Sequence, residues 1–138
     1  MLLRNAAFRE ASALGVLMET GYPEAVATLV AMIDGGASLY LSSGGGVIGG
    51  EKLEAVRIGA RRFTQFAGIH LPEMLRCTDF PLPAVAKTVF YVLTPNGVFT
   101  QTASEQELST GSHSFSPLFH AGQYVIGQLR AASEKNPK

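Results

Sequence analysis

The segment from Ala86 to Thr102 constrains the fold most. Two runs rich in β-branched and aromatic side chains, residues 86–94 and 98–102, flank Pro95-Asn96-Gly97. Asn-Gly between two such runs is the strongest short-range hairpin signal, because glycine takes the positive φ of a tight turn without steric cost. Residues 37–42 (Ala-Ser-Leu-Tyr-Leu-Ser) alternate in the manner of a strand, Ser43-Gly44-Gly45-Gly46 turns the chain, and Val47-Ile48 begins a return strand. Two antiparallel hairpins in one chain predict a single antiparallel sheet, with the 86–102 hairpin at its centre.

Helices are predicted around these hairpins. Over 51–68, Leu53, Val56, Ala60, Phe63 and Ala67 recur at the helical period, Phe66 widens the stripe, and Gly68 and Pro72 stop it. Phe8, Ala11, Leu14, Leu17 and Met18 predict a helix over 5–20, closed by Gly21. A second helix is expected from Pro23, with Val26, Leu29, Val30 and Ile33 as its stripe, although Leu29 to Ile33 also suits a strand. Pro81 and Pro83 leave 73–84 ambiguous, compatible with an edge strand only. The segment 104–113 is polar and shows no strand. Ser114 or Ser116 caps a last helix whose apolar stripe is Phe115, Leu118, Phe119, Gly122, Val125, Ile126 and Leu129, with Arg130 favourable near its end. The expected order is helix, helix, hairpin, helix, hairpin, helix. That is an α+β fold of one antiparallel sheet with flanking helices.

The 138 residues suit a single domain. Charged residues are 16% of the chain against a typical ~25%, and the net charge is zero. A nucleic-acid binder usually carries a basic excess, so that class is disfavoured. Low charge also suits a domain that hides apolar surface in a homodimer. One helix and one edge strand are enough to supply a standard interface of roughly 1,600 Å². Cys77 is the single cysteine, which suits a reducing compartment. Asn5, Arg9 and Glu10 interrupt any signal-peptide core, and no run approaches a membrane span. A cytoplasmic, non-membrane protein is expected.

The Ile33-Asp34-Gly35-Gly36 entry, expected from a helix, leads into the 37–50 hairpin and the amphipathic helix after it. With the 89–99 hairpin and the closing helix, this order resembles the roadblock / dynein-light-chain family, whose sheet is profilin- or longin-like. The resemblance covers residues 23–132. Residues 1–22 form an extra N-terminal helix on this reading, and 133–138 a frayed tail. The resemblance implies a homodimer joined through helix or sheet edges, no catalysis, and a scaffold or small-GTPase partner role.

Reactive constellations are sparse. The 42–46 serine–glycine run, followed by Gly49-Gly50 and a helix, has the backbone of an anion cradle. It lacks the P-loop lysine, and Glu51 places a negative charge there; a hairpin turn is the simpler reading. His70, His113 and His120 lack zinc-site spacing, and no metal or cofactor is expected. His120 is expected as a partly buried packing residue. Cys77 with His70 or His113 would make a thiol nucleophile and base only if the fold joined them. Otherwise Cys77 is a small buried hydrophobe.

Lys52, Arg57, Arg61 and Arg62 form the one basic cluster, either a solvated helix side or a docking surface for an acidic partner. Two binding readings follow. The first is a non-catalytic homodimeric interaction or scaffold module. The second is a small-molecule sensor with Tyr40, Phe90, Phe99, Phe115 and His120 lining a pocket between sheet and helix. A filled core favours the first.

Overall fold

The computed structural model describes residues 13–48 and 53–135. They form one seven-stranded antiparallel sheet. The strands are β1 (Gly15–Gly21), β2 (Val26–Met32), β3 (Ala37–Leu41), β4 (Gly46–Ile48), β5 (Leu75–Cys77), β6 (Lys87–Thr94) and β7 (Gly97–Ser104), in the spatial order β4-β3-β2-β1-β6-β7-β5. Helices α1 (Glu54–Ile69), α2 (Glu105–Thr110) and α3 (Ser116–Lys135) complete the α+β fold, with a 3-10 turn at Leu71–Glu73.

The predicted hairpins are present, but the 86–102 hairpin is not at the centre of the sheet, which β1 occupies. Thr94 pairs with Gly97 across Pro95-Asn96, and Gly97 has φ 126°. Thr94 Oγ1 accepts from the Asn96 N–H and donates to the Gly97 carbonyl, fixing the turn. Ser38 to Tyr40 pair with Gly46 to Ile48 across a turn in which Gly44, Gly45 and Gly46 all have positive φ. Helix α1 also forms where expected, although it runs through Gly68 to Ile69.

The first two predicted helices are corrected. Residues 15–21 and 26–32 are strands β1 and β2, and residues 5–12 lie outside the described residues. The extra N-terminal helix therefore does not extend over 15–21, and Ile33-Asp34-Gly35-Gly36 is entered from a strand. Pro23 lies in the turn of a hairpin, which the Tyr22 N–H closes by donating to the Ala25 carbonyl at 2.9 Å. The cause is that β1 is the central strand, with both faces largely covered. A strand buried on both faces does not confine its apolar residues to alternate positions, and Val16, Leu17 and Met18 in succession fit a helical template equally well.

The core lies between one sheet face and the helices. Val16 and Met18 of β1 stand beside Val92 and Phe90 of β6, and beside Ala31 and Leu29 of β2. Helices α1 and α3 close over this face with Val56, Ala60, Phe63, Leu118, Val125 and Leu129, all essentially without solvent exposure. An aromatic side chain of this kind removes roughly 150–250 Å² from water. At about 25 cal/mol per Å² that is an upper bound of about 4–6 kcal/mol for each of Phe63, Phe90 and Phe115.

The middle of the other sheet face is covered by a strap. Residues 78–86 leave β5 and cross to β6, with Phe80 against the Tyr91 ring at 5.5 Å. The Tyr91 hydroxyl donates to the Pro81 carbonyl at 2.8 Å, and Val85 forms an isolated parallel bridge with Gly21. Beneath the strap, Val89, Tyr91 and Glu19 are buried. Glu19 accepts a hydrogen bond from Thr28 Oγ1.

Candidate functional site

Helix α1 carries two faces. Val56, Ala60, Phe63 and Ala67 enter the core, while Ala55, Ile58, Arg62, Gln65, Phe66 and Ile69 are exposed at helical spacing on the outer side. Ile69 keeps 65% of its surface exposed, a large exposure for an isoleucine on a structured helix. Across from this seam, Tyr124 of α3 is also exposed and packs beside Gly59, where an added Cβ would lie 3.2 Å from its ring. Between the two helices runs a groove of about 550 Å³, whose walls include Phe66, Ile69 and Tyr124, with Arg62 at its edge.

A second concavity, about 500 Å³, opens between strands β2–β3 and the C-terminal half of α3. Its rim includes Tyr22, whose phenol is pushed above its ordinary pKa. Burial contributes most and the Glu105 charge adds to it, while Arg130 opposes them.

The expected basic cluster is not one patch. Lys52 lies outside the described residues. Arg57 is half-buried, and its aliphatic stem covers Gly35, where a Cβ would strike Arg57 Cγ. Arg61 and Arg62 are exposed, and only Arg62 borders the apolar groove.

The expected sheet–helix pocket is corrected likewise. Phe90 and Phe115 are fully buried, 5.8 Å apart between ring centroids, and Phe99 packs against the same core. Tyr40 pairs with Thr28, whose hydroxyl reaches Glu19 on the strap side, so Tyr40 faces away from the helices. His120 is exposed rather than partly buried, with Nε2 at 3.3 Å from the Ser109 carbonyl oxygen. Alternation along the strands sends Phe90 and Phe99 to the helix side and Tyr40 to the other, while Phe115 fills the core at the start of α3 and His120 lies on the outer side of that helix.

The sheet also separates the thiol from the histidines. His70 caps the C-terminus of α1 and stacks on Phe115 at 4.4 Å, and His113 meets the Phe115 edge at 5.7 Å. Cys77 pairs with Val98 and lies near Tyr91 and Asp79 on the strap side. Burial, then Asp79, pushes its thiol above the ordinary range, which disfavours the reactive thiolate. Among the described residues, no group of three or more histidine, cysteine or carboxylate side chains is arranged to hold a metal ion. No helix among them is long and apolar enough to cross a membrane. The 42–46 segment is a hairpin turn in which Ser42 Oγ accepts from the Val26 N–H, and Gly49 to Glu51 lie outside the described residues.

Comparison with family models, with curated proteins and with solved structures finds no match for this chain.

The core period of α1 does not mark its outer seam: Phe66 widens the core stripe in the sequence but is exposed in the structure, and Ile58 and Ile69 fall outside that stripe. Their signal was present in the sequence. Ile58, Phe66 and Ile69 extend the apolar arc of α1 well beyond the width that one core-facing stripe needs.

Proposed function

We propose that this chain is a non-catalytic interaction module that works as a homodimer, and that the outer face of α1 is its pairing surface. The observation that carries the reading is the exposed seam Ile58–Arg62–Gln65–Ile69 beside the α1–α3 groove. A helix whose inner stripe is already packed gains nothing within the monomer from a further stripe that exposes Ile58, Phe66 and Ile69 beside Arg62 and Gln65. Burying that stripe against another surface does lower the free energy.

The spacing favours a second copy as the occupant. Ile58 precedes Arg62 by four residues, and Gln65 precedes Ile69 by four. Two α1 helices laid antiparallel about a two-fold axis midway between Arg62 and Gln65 set Ile58 of each against Ile69 of the other. The same axis puts each Arg62 beside a Gln65 and not beside the other Arg62. Self-complementarity of this kind is what a two-fold interface requires. A scaffold role beside a small GTPase is the form of this reading that the roadblock resemblance implies, with exposed Arg61 available to an acidic partner surface.

Light scattering after size exclusion at micromolar concentration tests the reading. The expected mass is twice the 14.6 kDa of one chain. Ile58→Asp and Ile69→Asp, both at exposed positions, should each give a folded monomer. A monomeric parent protein, or a dimer indifferent to both substitutions, rejects it.

A further inference from the structure

We propose that the cleft between β2–β3 and α3 is a binding site for a small amphipathic monocarboxylate, with its apolar body on the sheet and its carboxylate on Arg130. The cleft, about 500 Å³, falls within the roughly 300–1,000 Å³ of small-molecule sites. Its floor is apolar, since Ala27, Leu39 and Leu41 project from paired positions of β2 and β3 toward the helix side. Its wall is one face of α3, where Ile126, Gly127 and Arg130 recur at helical spacing.

Gly127 is the residue that packing leaves unexplained. A Cβ at Gly122 would lie 2.8 Å from Met18, and one at Gly59 would lie 3.2 Å from Tyr124, so close contact accounts for those helical glycines. A Cβ at Gly127 would meet no heavy atom within 4 Å. Glycine weakens a helix interior relative to alanine. Here it leaves the wall of the cleft without a side chain and so keeps the cleft open.

The rim sets the ligand's charge. Arg130 makes no ion pair with a described residue, and its guanidinium fork suits a carboxylate. Glu24 on the same rim repels a second negative charge, which favours a monocarboxylate over a dicarboxylate. Tyr22 adds a hydroxyl donor that stays protonated at neutral pH. The site stands on the monomer and does not depend on pairing through α1.

Titration of isotope-labelled protein with phenylacetate and with neutral phenylacetamide, read by amide chemical shifts, tests the proposal. Phenylacetate should shift the Leu41, Ile126 and Gly127 amides saturably, and phenylacetamide should bind at least about fivefold more weakly. Arg130→Gln should weaken phenylacetate about tenfold and leave phenylacetamide unchanged. Gly127→Leu, which adds a good helix former in open space, should abolish binding of both while circular dichroism confirms the fold. Shifts that do not saturate, shifts confined to Phe66 and Tyr124, or undiminished binding by either variant overturn it.

Discussion

Met18 and Gly122 meet where the central strand passes beneath the last helix. A Cβ on residue 122 would lie 2.8 Å from both Sδ and Cε of Met18, and 3.0 Å from the Phe63 ring. This contact lets α3 lie close against β1, and the close approach of α3 helps form the wall of the sheet–helix cleft.

Gly122→Val should therefore destabilise the protein by about 1–3 kcal/mol, the usual cost of overpacking a filled core. Urea denaturation monitored by circular dichroism measures it. Gly122→Ala should cost less, because the Met18 thioether end can swing aside and alanine is the better helix former.

Ala86 has φ 70°, the one non-glycine residue with positive φ among those described. Its carbonyl accepts from the Glu105 N–H and its N–H donates to the Gly21 carbonyl, so the surroundings hold it in this conformation. Ala86→Gly relieves a strain of roughly 1–2 kcal/mol, partly offset by the greater chain entropy of glycine when unfolded. A net gain of about 0.5–1 kcal/mol in thermal or urea unfolding is expected. A loss of stability would show that the strain is absent.

Tyr91 ties the strap to the sheet, and its phenol is held above its ordinary pKa, chiefly by burial and then by Glu19, Cys77 and Asp79. The folded state keeps this proton to higher pH than the unfolded state does. The resulting contribution is fully present below about pH 10 and is lost as pH rises from there through the folded pKa. Tyr91→Phe should remove that alkaline loss. At pH 7 it should cost about 0.5–1.5 kcal/mol for the bond to Pro81 and speed amide exchange within 78–86. Stability profiles of the two proteins from pH 8 to 11.5, with hydrogen exchange at neutral pH, check both effects.

Cys77 should alkylate slowly at neutral pH, with a rate still climbing above the pH at which a free thiol levels off, because burial and Asp79 disfavour its thiolate. Asp79→Asn should speed the reaction by removing the second of these causes. Iodoacetamide kinetics followed by mass spectrometry read the change, and a rate equal to that of a free thiol contradicts it.

Several elements were legible in the sequence because their signals are local. Val56, Ala60, Phe63 and Ala67 carry the helical period of α1, and Asn96-Gly97 and Gly44-Gly45-Gly46 carry the turn chemistry of two hairpins. Helix α2 also carries a local signal, although its polar sequence shows no apolar stripe. Ser104 caps it by accepting from the Glu107 N–H, and Gly111 closes it in the left-handed conformation, the pattern of a capped helix despite its polar sequence.

What the sequence alone determined is therefore the set of elements whose neighbours along the chain decide their conformation. The tertiary structure decided the rest, above all β1. Met18 and Val16 become strand residues through pairing with Phe90 and Val92, more than seventy positions away, with the strap covering much of the opposite face. A segment whose apolar residues are not confined to alternate positions states that it is buried but not in which conformation, because the hydrophobic effect that buries it has no direction. The same reason hid the candidate sites. Gly127 and Arg130 acquire an open cleft only once α3 lies over β2 and β3. The outer seam of α1 becomes an unpaired surface only once the inner one is full.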